Sequence, residues 1–180
     1  MRKTKFSIAV LLVLLASAEV AISAADAPLL SRAQMATAEK SVDARMLRLW
    51  SDNTISLVGQ SRAAYFPGIG LVLSAEVTLA TATGGSLFGD ALTDKDKADL
   101  RKKKTERLPL LRSTMKEVMA NLATSLPQVP ATEQIAFSVV LPRYTWEEPG
   151  GLPMQVTMQA TKADLLGPQR DKAVRVVETN

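Results

Sequence analysis

An α+β fold is predicted for this chain: a two-layer sandwich with helices on one face of a mostly antiparallel sheet of four or five strands. Three observations predict it. Residues 94–126 carry a helical repeat, in which Leu111, Met115, Val118, Met119, Leu122 and Leu126 step by three and four and so share one helix face. Residues 54–79 and 133–160, on either side of it, alternate apolar and polar with the period of two that turns one strand face to a core. Shorter helical signals lie before the first alternating stretch and after the second. The order is therefore helix, hairpin, long helix, hairpin, short helix, and each apolar face needs another to cover it.

The start of the chain is read as a targeting segment. Arg2, Lys3 and Lys5 precede an apolar run over residues 6–16, and small residues at 16–18 or 23–25 offer cleavage sites. The run falls short of the roughly 20 residues that span a bilayer, so a cleaved bacterial-type secretory signal peptide is expected over residues 1–24, followed by a single domain over 25–180. No cysteine follows the apolar run to carry a lipid. The expected location is the periplasm or the exterior, not a lipoprotein anchor.

Ser31 is the expected N-cap of a helix reaching about Leu49, with Met35, Val42, Met46 and Leu49 as its apolar stripe and Arg32, Glu39, Lys40, Asp43 and Arg45 facing elsewhere. Turn chemistry at residues 51–53 ends it. In the first strand Ile55, Leu57, Ala63 and Tyr65 share a face. Pro67 and Gly68 fit the centre of a type II turn. Leu71, Leu73, Ala75, Val77 and Leu79 form the buried face of the second strand. Residues 81–92 read as a loop whose Phe88 could dock on the core.

Thr93 begins the long helix, with Asp94, Asp96 and Asp99 near its positive end. Pro109 predicts a kink or two abutting helices, and Pro127 a stop. The second half of the helix is expected to do the packing, because the first half is rich in lysine and arginine. Ile135, Phe137, Val139 and Leu141 then face inward, as do Met154, Val156, Met158 and Ala160. Between them lies a loop over residues 142–153. Thr161 with Asp164 resembles a capping box for a single helical turn closed by Gly167 and Pro168. Residues 172–177 form either a short edge strand or a loose tail.

Composition narrows the chemistry. There is no cysteine and no histidine, which removes thiolate nucleophiles, disulfides, cysteine-ligated zinc and the commonest general base. The 22 basic and 18 acidic residues give +4. Without Arg2, Lys3, Lys5 and Glu19 the balance is 19 against 17, or +2, so the high isoelectric point belongs partly to the signal segment and does not speak for nucleic acid.

No nucleotide-binding or hydrolase motif is present, and Gly68 with Gly70 reads as turn geometry. Asp90, Asp94, Asp96 and Asp99 lack the spacing of a calcium loop. Glu76, Glu147 and Glu148 are the carboxylates available for an acid/base pair, and a Ser/Lys pair is a further enzymatic alternative. Two stretches are binding candidates. One is the aromatic loop with Tyr144, Trp146, Glu147 and Glu148, where Trp146 is either an exposed anchor or a lid folded over the core. The other is the basic run Lys95–Arg107, with Lys102, Lys103, Lys104 and Arg107 as its candidate contacts, suited to an anionic membrane, a cell-wall surface or an acidic partner.

These readings predict a non-enzymatic exported protein that binds an envelope partner or itself, with no cofactor, no metal and no nucleic acid. The alternatives are a hydrolase using carboxylates or Ser/Lys, and a carrier holding a small apolar ligand among Met115, Met119, Met154 and Met158.

Overall fold

The computed structural model describes residues 30–49, 57–82, 92–147 and 150–180. The expected signal segment, the turn at 51–53, Ile55, Phe88, Asp90 and Glu148 lie outside these. The chain is α+β, and the described residues form four helices and a five-stranded mixed sheet.

Helix α1 (Arg32–Leu47) starts as its cap predicts. The Ser31 hydroxyl accepts from the Gln34 amide, and the Ser31 N–H donates to Gln34 Oε1 at 2.9 Å, a closed capping box. Val42 and Met46 are buried, and Met35 and Leu49 pack at the core margin. Glu39 corrects the expected polar face, because it is buried. Its carboxylate accepts both Arg32 guanidinium donors at 2.8 and 3.0 Å and the Ala63 N–H at 2.9 Å. Asp43 accepts the Ser61 N–H at 2.9 Å. Strand β1 (Arg62–Phe66) is a sheet edge, and a buried edge amide needs an acceptor, which these two carboxylates supply. The Arg32 hydrogen bond holds the Glu39 carboxyl below its ordinary value.

Strand β2 (Gly70–Glu76) pairs antiparallel with β1 across the predicted turn, where Gly68 has φ +79° and the Ile69 N–H donates to Phe66 O at 3.0 Å. Strands β3 (Gln134–Val140) and β4 (Gln155–Thr161) form the second antiparallel pair. With β5 (Arg175–Thr179) at the far edge, the strand order is β1-β2-β3-β4-β5, and β2 runs parallel to β3 in register Leu71↔Ile135, Leu73↔Phe137, Ala75↔Val139. Three of the four pairings are antiparallel, and the one parallel junction, β2–β3, makes the sheet mixed. Alternation reports which face of a strand is buried but not the direction of its neighbour. A long helical crossover between two hairpins is what allows their inner strands to lie parallel.

That crossover is α2 (Asp94–Ser125), 32 residues and so about 48 Å long. Thr93 caps it through a reciprocal bond with Asp96. Pro109 does not divide it: the helix is continuous, with Leu108 and Leu111 buried on either side of the proline. Its missing N–H costs one backbone bond, a smaller sum than the apolar area the continuous helix buries. The first half also packs, contrary to expectation, since Leu100, Lys104 and Leu108 are buried.

Leu111, Met115, Met119 and Leu122 share one core with Val42, Met46, Leu71, Leu73, Ile135, Phe137 and Met158. Leu111→Ala and Leu122→Ala should each lose about 2–5 kcal/mol in denaturant melts, while exposed Lys103→Ala should stay within about 0.5 kcal/mol. The reverse ranking would mean that the buried face is misassigned.

Where α2 ends, its carbonyls have no intrahelical partner. The buried Lys162 ammonium supplies one from the far end of β4, donating to Leu126 O at 2.8 Å and Val129 O at 2.7 Å. A cation at a helix C-terminus is also favoured by the helix dipole, and the last turn of α2 contains no basic residue of its own. Lys162 opens α3 (Lys162–Leu166), which Thr161 caps and Gly167 ends as expected. A short α4 (Arg170–Ala173) leads into β5 (Arg175–Thr179), so the C-terminal segment is an edge strand, antiparallel to β4. Met154 is corrected as well: it precedes β4 and is 46% exposed, so the inward face of that strand is Val156, Met158 and Ala160.

Candidate functional site

The apolar stripe of α2 does not stop at the proline. Counting back from Met115 by three and four gives Leu111, Leu108, Lys104, Arg101 and Lys97. The same helix face that packs on the sheet therefore becomes cationic towards its N-terminus, and Lys104 is carried inside with only 4% exposure. A buried ammonium must be paired. Its partner is Glu147, whose two carboxylate oxygens accept from Lys104 Nζ at 2.6 and 2.8 Å. The Tyr144 ring lies under the same nitrogen, with its centroid 4.9 Å away.

Glu147 also shapes its own loop. Its Oε2 accepts the Tyr144 N–H at 2.9 Å, and its N–H donates to Tyr144 O at 3.0 Å. This closes a tight turn that brings Trp146 over Tyr144, stacked at 5.4 Å between centroids with planes 8° apart. Three arginines fasten neighbouring backbone: Arg101 donates to Gly150 O, Arg143 to Leu152 O, and Arg107 to Leu79 O.

Between the loop and the helix lies a groove of about 390 Å³. Leu79, Ala98, Leu141, Pro142, Trp146 and Leu152 form its apolar wall. Its charged lining is Lys97, Arg101, Lys104 and Arg143 against Asp94 and Glu147. Asp94 accepts from Lys97 Nζ at 3.2 Å, and Glu147 is committed to Lys104. Among the described residues no carboxylate pairs with Arg101 or Arg143. The groove thus combines an apolar surface with two guanidinium charges held only by neutral carbonyls. Its volume falls in the range of pockets that take small organic ligands.

The structure joins the two candidate stretches that the sequence offered separately. Tyr144, Trp146, Glu147 and Lys104 meet in one place, and Trp146 is half-buried in the wall of the groove. Arg107 stands on the next turn of α2 from Lys104. Lys102 and Lys103 point elsewhere and are exposed, with Glu106 4.0 Å from Lys102. Glu148 lies outside the described residues. Glu76 is exposed on β2, on the face away from the core, so it does not meet Glu147. Met115, Met119 and Met158 are fully buried in the core, and none of these or Met154 lines the groove. Asp94 and Asp96 stand in the first turn of α2, where they serve the helix start.

Sequence reasoning placed Arg101 in the basic run and Arg143 and Leu152 in the loop but singled out none of them. A signal existed for Arg101: its spacing from Lys97 and Lys104 continues the buried stripe.

No family model, curated protein or solved structure matches this chain. Among the described residues no helix is long and apolar enough to cross a membrane.

Proposed function

We propose that this chain is a small, non-enzymatic binding protein of a bacterial-type cell envelope. It is built in two layers with its helices on one face of the sheet, and it recognises its ligand in the groove between the N-terminal half of α2 and residues 141–147 and 150–153. The observation that carries this reading is the buried Lys104–Glu147 pair. A buried ion pair adds little stability over an apolar pair of the same size, but it fixes geometry, and here it holds an aromatic loop against a basic helix with a groove left between them. Export rests on the basic and apolar pattern of residues 1–24.

The test uses N-phenyl-1-naphthylamine, a neutral apolar dye that fluoresces when it leaves water. The wild-type chain should bind it at one site. Trp146→Ala should weaken that binding at least about tenfold, equivalent to about 1.4 kcal/mol. Its unfolding free energy should fall by only about 1–2 kcal/mol, the order of a lost aromatic pair and partial burial. A stability loss of about 3–5 kcal/mol with dye binding unchanged would make Trp146 a core residue and end the case for the groove.

A second reading, self-association, is favoured by the asymmetry of the sheet edges. Glu39 occupies the Ala63 amide of β1 and Asp43 the Ser61 amide just before it, whereas all five residues of β5 are exposed. An uncovered edge strand is a template for a second copy of the same chain. Sedimentation of the mature protein would then show a dimer that Val177→Lys returns to monomer.

A further inference from the structure

We infer that the groove takes an amphipathic carboxylate, a small molecule with one carboxylate on an apolar body. The inference rests on the proposed groove site and adds the chemical class of its ligand.

Among the described residues, four cations and two carboxylates line the groove. Pairing Lys97 with Asp94 and Lys104 with Glu147 leaves two positive charges, on Arg101 and Arg143. Each of these donates one hydrogen bond to a carbonyl, Gly150 O for Arg101 and Leu152 O for Arg143. A carbonyl does not neutralise a guanidinium, and a guanidinium has five N–H donors, so four remain on each. Planar guanidinium groups match the two oxygens of a carboxylate and accept them in a bidentate fashion.

The carbonyl bonds do a second thing. They hold the two arginines against the backbone that forms the far wall, so their positive charge is placed at the groove before any ligand arrives. The wall itself is the opposite in character: Trp146, Leu141, Leu152, Leu79, Pro142 and Ala98 offer contact to carbon and no charge. A bare small anion would leave that wall wet. A neutral hydrocarbon would leave the guanidinium charges without a counter-ion near an apolar surface. A ligand that satisfies both has an acid end and an apolar end, and a groove of about 390 Å³ limits it to a small molecule. The buried Glu147 carboxylate does not oppose it, because its charge is matched by Lys104 at 2.6 Å.

The experiment is calorimetric titration of the mature chain with decanoate, decanol and butanoate, repeated on Arg101→Gln, Arg143→Gln and Trp146→Ala. Decanoate should bind one-to-one and at least about tenfold more tightly than decanol, as charge-assisted hydrogen bonds require. Each arginine substitution should remove most of that preference while decanol binding stays the same. Butanoate should bind at least about tenfold more weakly than decanoate, for lack of an apolar body. Thermal melts of the two arginine variants alongside separate a lost contact from a lost fold. If decanoate and decanol bind equally and both are weakened by Trp146→Ala, the carboxylate class is overturned and the groove stands. If neither binds a chain that melts normally, the ligand class and the groove site both fall.

Discussion

Lys104→Met should destabilise the protein by about 3–5 kcal/mol, the range for removing one member of a buried ion pair. The cause is not the loss of a salt bridge as such. Methionine fills the space of the lysine stem, but Glu147 is left ionised against an apolar wall, and its side chain is only 9% exposed. The loop must then open to hydrate the carboxylate. In doing so it loses the turn that Glu147 closes on Tyr144, the stack of Trp146 on Tyr144, and the wall of the groove. Changing the partner as well, in Lys104→Met with Glu147→Leu, should recover more than half of the loss, because two apolar groups can replace a buried pair at little cost. Urea denaturation of the two single variants and the double one measures this. A single-variant loss below about 1 kcal/mol, or a double variant as unstable as the sum of the singles, would mean that the pair is solvated and does not hold the loop.

Gly70→Ala should be at least as damaging, and for a different reason. Gly70 opens β2 with φ +136°, a region closed to other residues, and a Cβ there would sit 1.9 Å from the carbonyl oxygen of Gln134. Gly70 and Gln134 are the first register pair of the parallel β2–β3 junction, and the Gln134 N–H donates to Ile69 O at 3.0 Å. The clash is with backbone, which cannot rotate away. The junction that joins the two hairpins must separate at its first pair, and a loss above about 3 kcal/mol is expected, with broadened amide resonances in residues 69–72 and 133–136. Gly68→Ala offers the comparison. It has φ +79° but nothing within 4 Å of its Cβ, so it should lose only about 1 kcal/mol of turn strain. Equal losses at the two glycines would show that conformation alone, not the close approach, governs Gly70.

Much of the fold was legible because it depends on short-range chemistry. Ser31, Thr93 and Thr161 are all caps where their side chains and the residues three positions on require it. The alternation of residues 71–77 and 135–141 placed the inward face of both inner strands without error. The parallel meeting of those strands was not legible, since nothing local distinguishes a parallel neighbour from an antiparallel one. Glu39 was misplaced for a related reason. A glutamate on a helix is read as solvent-facing unless the free amides it serves are known, and those belong to a strand 24 residues away. The site was half legible. Tyr144, Trp146 and Glu147 stood out by type and surroundings, and Lys104 by its neighbours, but their meeting spans 43 residues of chain. The one local clue was that Arg101 and Lys104 fall on the apolar stripe of α2 while Lys102 and Lys103 do not. A lysine on a buried stripe calls for a partner, and the loop contains the carboxylate that answers it.

The proposed recognition site is tested most directly by following backbone amide and Trp146 indole resonances of residues 25–180 as decanoate is added. The largest shifts should come from residues 97–104, 141–147 and 150–153, together with the Trp146 indole, while β5 (Arg175–Thr179) stays still. Shifts concentrated on β5, or on the hollow between Arg112 and Arg170 further along α2, would contradict a binding site in the groove.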